Sequence, residues 1–298
     1  MNDDDLICYK QIEIETHGKL KFFLEKHSTK EGTWGLFQLN FGEIDFIFLD
    51  GEERELSRHR IDSKHPELQI PAGLLHKIEP VSEEFSAVLK FYCKPHRYFN
   101  KKYDVGNVHS DLYYVCSTYL RDKRNLNILD IGCGQGRNLL FLALSGHQLT
   151  GIDIKKTSIQ KINEIAEKEN MLDIKTLLHD LHQPLSLLQK SYDFVFSLVT
   201  LQFLEAHRIH ALLTELQLTT TIGGMHFLVF PIKAEPYALP SSFTYLPKIK
   251  ELYHFYQDSG WSILEYKETV GQLHKLDDSG KPIQGLFGFL LAQKIIDI

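Results

Sequence analysis

Apolar and polar positions change rhythm along this chain. Over residues 1–95 they come in short runs, at 33–40, 44–51, 68–73 and 85–92, with Gly, Asp and Pro between them. Closely spaced runs of this kind predict short strands in a small antiparallel sandwich or barrel. From about residue 105 the pattern alternates helix and strand. A helix near 109–121 leads to strand 126–131 and helix 136–145; strand 148–153 and the amphipathic helix 156–169 follow. Strands 174–178 and 192–197, helix 204–221 and strand 225–230 complete the series. Alternation of this type predicts a doubly wound parallel sheet. Beyond it, a helix near 247–259 precedes apolar runs at 261–266 and 285–294, which can pair as a closing antiparallel hairpin. A linker is expected at 93–102, where Pro95 and several charges interrupt the pattern, giving a β domain over 1–95 and an α/β domain over 96–298.

Composition adds exclusions. Hydrophobic residues make up 43% and charged residues 24% of the 298, enough for a buried core in each part. The net charge of −6 comes without any basic run, which argues against nucleic acid as a partner. No apolar stretch approaches the ~20 residues that span a bilayer, so no membrane partner is expected. The start, Met1-Asn2-Asp3-Asp4-Asp5, is acidic where a signal peptide is basic. Four scattered cysteines (8, 93, 116, 133) show no metal spacing and suit a reducing cytoplasm.

Chemistry concentrates at residues 128–138. The apolar strand Ile128-Leu129 meets Asp130, then glycines at 132, 134 and 136, then the helix-forming Arg137-Asn138. Alternate glycines permit φ > 0 in a tight turn and let a ligand approach the backbone. A dinucleotide fingerprint needs G-x-G-x-x-G, and Arg137 fills its third glycine position. Asp-x-Gly-x-Gly-x-Gly instead resembles the first motif of class I S-adenosylmethionine (SAM) methyltransferases. Two further acids close predicted strands. Asp153 can accept hydrogen bonds from ribose hydroxyls, or cap the following helix. Asp180 can take an adenine amino group, with the Leu181 amide facing the ring, or cap its own loop. Ser197 and Leu198 close the strand that resembles the one beneath the transferred methyl group, and Asp193 at its start reads as structural.

The resemblance to one family is broader. Residues 128–138 and 192–204, the entry segment Tyr98-Phe99-Asn100-Lys101-Lys102-Tyr103 with His109, and Gly271-Gln272-Leu273-His274-Lys275 are similar to the TehB group of tellurite-resistance methyltransferases. Gly32-Thr33-Trp34-Gly35 and Phe91-Tyr92-Cys93-Lys94 resemble the longer members of that group, and Pro71-Ala72-Gly73-Leu74-Leu75-His76 resembles half of a cupin motif. The chain has no His-x-His, the other half of a metal-bearing cupin site, so a structural His76 and no metal are expected. The resemblance implies a Rossmann-like SAM-methyltransferase fold behind a cupin-like β domain, with SAM as methyl donor. It implies cofactor contact by Tyr98, Tyr103 and His109, and by Asp130, Gly132, Cys133, Gly134, Arg137 and Asn138. Asp153, Ile154, Asp180, Leu181, Ser197 and Leu198 complete that set. The acceptor it implies is a small chalcogen oxyanion or other soft nucleophile, with His274 and Lys275 acting on it.

Departures fall on the acceptor side. Gln272 replaces a glutamate of the group, and Pro282 stands where it has an arginine, with Lys281 one position earlier. Two other readings are a non-catalytic SAM-binding sensor, whose β segment takes a ligand or metal, and a nicotinamide dehydrogenase.

Overall fold

The computed structural model describes residues 5–17, 23–185, 191–276 and 279–296; the side chains of His274 and Lys275 lie outside the described set. Two compact units divide the chain, Met1–Val108 and His109–Ile298.

In the first unit, β1 (Ile7–Glu15), β3 (Trp34–Phe41), β6 (Glu67–Ile70) and β8 (Ser86–Cys93) form a sheet ordered β1-β8-β3-β6. The second sheet comprises β2 (His27–Ser28), β4 (Ile44–Leu49), β5 (Glu55–Ile61) and β7 (Leu75–Pro80), ordered β2-β7-β4-β5. All described pairings are antiparallel. This interleaving is that of a jelly roll, the cupin architecture. Its core joins both sheets through Phe37, Phe46, Ile78, Phe85 and Ala87. Every residue of β4 is buried, including Asp45. Arg60 Nε at 2.7 Å and Arg58 Nη1 at 3.1 Å, both from β5, neutralise that carboxylate. Their charge holds the Asp45 carboxyl below its ordinary range.

Two expectations fail in this unit. The polar stretch around His59, which falls between the runs predicted at 44–51 and 68–73, is β5, an edge strand exposed except at Ser57 and Ile61, so period-2 burial is absent from its sequence. The expected linker at 93–102 is a helix, α1 (Pro95–Tyr103). Pro95 opens it at the first helical position, where no amide hydrogen bond is needed, and Asp104 closes it at φ 53°.

The second unit opens with α2 (Ser110–Val115), continued by a π-turn through Leu120. Its strands are β9 (Asn127–Ile131), β10 (Gln148–Asp153), β11 (Ile174–Leu178), β12 (Tyr192–Leu198), β13 (Thr220–Ile232), β14 (Ser262–Leu276) and β15 (Pro282–Gln293). Between them lie α3 (Arg137–Ala143), α4 (Lys156–Lys168), α5 (Ala206–Leu218) and α6 (Glu251–Asp258). The sheet order is β11-β10-β9-β12-β13-β15-β14, with β15 antiparallel to both its neighbours and the other pairs parallel. The chain moves outward from β9 to β11 and returns at β12 on the other side of β9. Between β9 and β12, then, lies the topological switch point where open α/β sheets bind ligands. Asp193 is structural, as expected: its carboxylate accepts the Asn127 amide at 2.9 Å and the Thr221 hydroxyl at 3.0 Å.

Candidate cofactor and acceptor site

The glycine turn joins β9 to α3 at the carboxyl edge of the sheet. Gly132, Gly134 and Gly136 all have positive φ, at 80°, 53° and 85°. The three serve different ends. A Cβ on Gly132 would lie 2.3 Å from Thr200 Cγ2, and one on Gly136 would lie 2.6 Å from Ile162 Cγ1, so these two are small for packing. A Cβ on Gly134 would meet nothing within 4 Å. That open space over the middle glycine is a cradle which a side chain would fill.

β10 stitches the turn in place. The Gly132 and Cys133 amides both donate to the Ile152 carbonyl at 2.9 Å, and the Gly134 amide donates to Asp153 Oδ2 at 2.9 Å. Asp153 Oδ1 accepts the Lys155 amide at 2.8 Å, which caps the approach to α4. The two roles weighed for Asp153 are compatible, because each carboxylate oxygen retains a lone pair after one backbone bond. Ile154 beside it is exposed at the rim. Cys133 packs its buried sulfur where a Cβ on Gly151 would come within 3.0 Å, and burial pushes the thiol well up.

Asp130 sits on β9, inside the sheet between β10 and β12, and is 2% exposed. Its Oδ2 is buried with no hydrogen-bond partner. Burial first, then the neighbouring Asp153 charge, push its carboxyl well above the usual range, while the charge of Arg137 opposes them. Burial in turn lowers the Arg137 guanidinium. An orphaned buried carboxylate oxygen is costly, about 1–3 kcal/mol or more, unless a ligand donates to it. SAM carries an ammonium, which can donate to Asp130, and a cationic sulfonium, so the unpartnered Asp130 oxygen and the cradle over Gly134 fit it.

Asp180 follows β11 and accepts the His182 amide at 3.0 Å and its ring N–H at 2.8 Å; the amide bond first holds its carboxyl low. The loop behind it is clamped from α5. Arg208 donates to the Leu181 carbonyl at 2.6 Å and the Gln183 carbonyl at 2.9 Å, and pairs with Glu215 at 2.7 Å. Glu215 also accepts the Leu185 amide at 2.9 Å. Sequence reasoning missed this pair, although a spacing of seven on an otherwise apolar helix face was a usable signal.

Ser197 is fully buried and donates its hydroxyl to the Ile131 carbonyl at 3.1 Å, tying β12 to the glycine turn; Leu198 is half-buried. Beyond β12, Val199 has φ 55°, and its carbonyl accepts from Gln202 Nε2 at 2.7 Å. Gln202 Oε1 is a second buried atom without a partner. Thr200 and Gln202 lay inside the resembling stretch yet gave no separate sequence signal. On the other side, Asn138 Oδ1 accepts the His109 amide at 3.0 Å, and His109 caps α2. Tyr98 and Tyr103 belong to α1 in the first unit. Tyr98 is buried there, edge-on to Phe99 with centroids 5.0 Å apart, and Lys102 Nζ donates to its hydroxyl at 2.8 Å.

The long hairpin β14–β15 ends at this same edge of the sheet. Ile232 at the end of β13 pairs with Leu286, so residues 282–285 run past the end of β13. A cavity of about 790 Å³ opens there, lined by Gln272, Lys281, Pro282 and, from the segment after β13, Pro236 and Tyr237. The two departures noted in the sequence, Gln272 and Pro282, therefore share one cavity with Lys281. His274 and Lys275 lie in β14 beside it in sequence, with side chains outside the described residues.

This strand order, glycine turn and orphaned acid define a class I SAM-dependent methyltransferase. A family model described as "Tellurite resistance protein TehB" matches residues 91–291, and one described as "TehB-like domain" matches residues 17–89. The chain belongs to the TehB family. A relative from Haemophilus influenzae (strain 10810), "Probable S-adenosyl-L-methionine-dependent methyltransferase TehB", is 38% identical and aligned over 98% of this chain and 99% of its own. The crystal structure of TehB from Haemophilus influenzae superposes with a TM-score of 0.88 at 33% identity, covering 98% of this chain and 99% of that one. A putative methyltransferase from Bacillus halodurans, 13% identical, gives 0.51 over 63% of this chain and 100% of that one, which speaks to the fold alone. The dehydrogenase and the non-catalytic sensor are thereby set aside. SAM is the cofactor and a small molecule the acceptor. No described helix is long and apolar enough to cross a membrane.

Proposed function

We propose that the acceptor is a small, soft oxyanion of the tellurite or selenite type, methylated at the cavity beside the β14–β15 turn. The observation that carries this reading is the joint lining of that cavity by Lys281 and Gln272 at the edge where the cofactor cradle opens. Bound SAM supplies an electrophilic methyl group on sulfur. Asp130 offers its orphaned oxygen to a cationic group of the cofactor, Asp153 its free lone pairs to the ribose, and Asp180 a carboxylate to the adenine. Lys281, with His274 and Lys275, supplies the positive charge an oxyanion needs to approach a chain of net charge −6. A tellurium or selenium lone pair attacks without losing a proton, so the site needs no general base. Alignment of donor and acceptor then supplies most of the rate. All four cysteines are free, which supports our placing the enzyme in the cytoplasm.

The test is turnover of labelled SAM with tellurite, selenite and a small thiol, read as transfer of label to the acceptor in solution with release of S-adenosylhomocysteine. Replacing His274 and Lys275 together by Ala should lower turnover of the oxyanion at least tenfold, ~1.4 kcal/mol, with SAM affinity within about twofold. Methylation of the thiol but of neither oxyanion would overturn the reading.

A further inference from the structure

The β unit carries a cavity of its own, about 770 Å³ in volume, which methyl transfer leaves without a role. Its walls are built from β1, β2, β7 and β8 and from the segment between β2 and β3, with Phe23 ahead of β2 and one residue from α1. A β-bulge between Cys8 and Lys10 breaks the two-residue alternation of β1, so the neighbouring Tyr9 and Lys10 both line the cavity. Bulges re-aim side chains in this way beside binding sites.

The lining is graded. At its depth lie buried or nearly buried groups: His76 is 1% exposed, Leu89 3% and Phe23 4%. The His76 ring stacks on Phe46 with centroids 5.1 Å apart and meets the His27 ring at 4.4 Å. Its Nδ1–H donates to the Leu74 carbonyl at 2.8 Å, and burial lowers its pKa to about 4, so this end is neutral as well as aromatic. Lys10 and Lys30 are exposed on the lining, and Lys101 from α1 joins them, held by Thr33 Oγ1 at 3.0 Å. Among the described residues the lining carries three lysines, two histidines and no carboxylate. In a chain with 39 acids against 33 Lys and Arg, a cavity whose charged lining groups, among the described residues, are all lysines is selective. Among the described residues no group of three His, Cys, Asp or Glu is placed to hold a metal, so the histidine pair does not supply a metal's ligand set.

We propose that this cavity is a binding site for a small organic anion, a carboxylate with a flat apolar body that enters among Phe23, Phe91 and the histidine rings while Lys10, Lys30 and Lys101 hold its charge. The proposal stands apart from the acceptor reading, since it concerns the other unit and needs no SAM.

Calorimetry on the full chain with three isosteric probes tests it: benzoate, neutral benzyl alcohol and cationic benzylamine. Benzoate should bind once per chain, at least about tenfold more tightly than either of the others, and more weakly as salt is raised. The double charge reversal Lys10→Glu with Lys30→Glu changes two exposed side chains, so the fold should persist; an unchanged circular-dichroism spectrum and thermal midpoint verify that. It should weaken benzoate at least about tenfold. Lys101→Met should weaken benzoate while leaving benzyl alcohol unchanged. No binding of benzoate, equal binding of all three probes, or undiminished binding by the double variant would each overturn the proposal.

Discussion

Two regions of this protein concentrate opposite charge. At the carboxyl edge of the α/β sheet Asp130 and Asp153 stand at the glycine turn and Asp180 follows β11; in the jelly roll, lysines and histidines line a cavity with an aromatic floor. The first suits a cationic cofactor and the second an anionic guest. The difference teaches where each charge is anchored. Asp153 and Asp180 are fixed by backbone amides at strand ends, so the sheet positions them whatever the surface does. The lysines are carried on long stems at the mouth of a barrel, where charge is easily exchanged without altering the fold.

The sharpest way to break the comparison is to fill the cradle. Gly134→Val places a branched side chain in the open space over the turn, at a φ of 53° that also disfavours it. SAM affinity should fall at least a thousandfold, ~4 kcal/mol, while benzoate binding stays unchanged. Titration of both ligands on one sample reads this, and retained SAM affinity would show the cradle to be elsewhere.

Next in size is acid sensitivity of the β unit. Burial first lowers the His76 pKa from 6.5 to about 4, so the folded unit keeps the ring neutral while the unfolded chain charges it. The stability is complete above pH ~6.5 and is lost as pH falls toward 4, by about 3 kcal/mol over the window. The second unit holds His226 in the same condition, buried between the Thr220 and Tyr256 hydroxyls, with its pKa lowered to about 3 by burial. His76→Phe should flatten part of the acid loss in thermal melts from pH 7 to 4, leaving the His226 part. An unchanged profile would mean that His76 is already charged in the fold.

Much of this architecture was legible because burial imposes periods. Strands 148–153 and 174–178 ended where their apolar runs end, since the first lies inside the sheet and turn residues follow each. β5 was not, because an edge strand with Arg58 and Arg60 reaching over to Asp45 has no apolar face to show. α1 was not, because Pro95 reads as a breaker when its position relative to the helix start is unknown. In the site, the glycines and acids announced themselves by spacing. What spacing could not show is which glycine is left open, that Asp130 lacks a partner, or that Ser197 is spent on the Ile131 carbonyl. Those facts depend on atoms brought together from different strands.

A smaller effect follows from the bonds found on Asp153. The sequence predicts only a loss of ribose contact in Asp153→Ala, ~1–3 kcal/mol of SAM affinity with the fold unaffected. The carboxylate also holds the Gly134 and Lys155 amides, so the variant should lose about 1 kcal/mol of stability as well. A melt of the SAM-free variant measures this second term. A midpoint equal to the parent's would mean that water replaces both bonds without loss.

The smallest expected effect is a proton. Burial, then the Asp153 charge, hold the Asp130 carboxyl well above its ordinary range, so in the SAM-free fold it keeps its proton to higher pH than the unfolded chain does. Stability conferred by that proton is present at low pH and is lost as pH rises through the raised pKa. A cationic group arriving beside Oδ2 favours the carboxylate, lowers that pKa again and expels the proton. SAM affinity should therefore rise with pH, by less than about tenfold per pH unit, since a single proton is linked. Calorimetry at pH 6 keeps the cofactor's own amine charged, its pKa being near ~7.8. Phosphate and a tertiary-amine buffer of higher ionisation enthalpy should then give different binding heats, by up to one proton's worth. Asp130→Asn cannot release a proton, so its heats should agree between buffers, and its affinity should fall about tenfold with loss of the charge-assisted bond. Equal heats in the parent protein would mean that Asp130 is already ionised before SAM arrives, with Arg137 outweighing the burial that surrounds it.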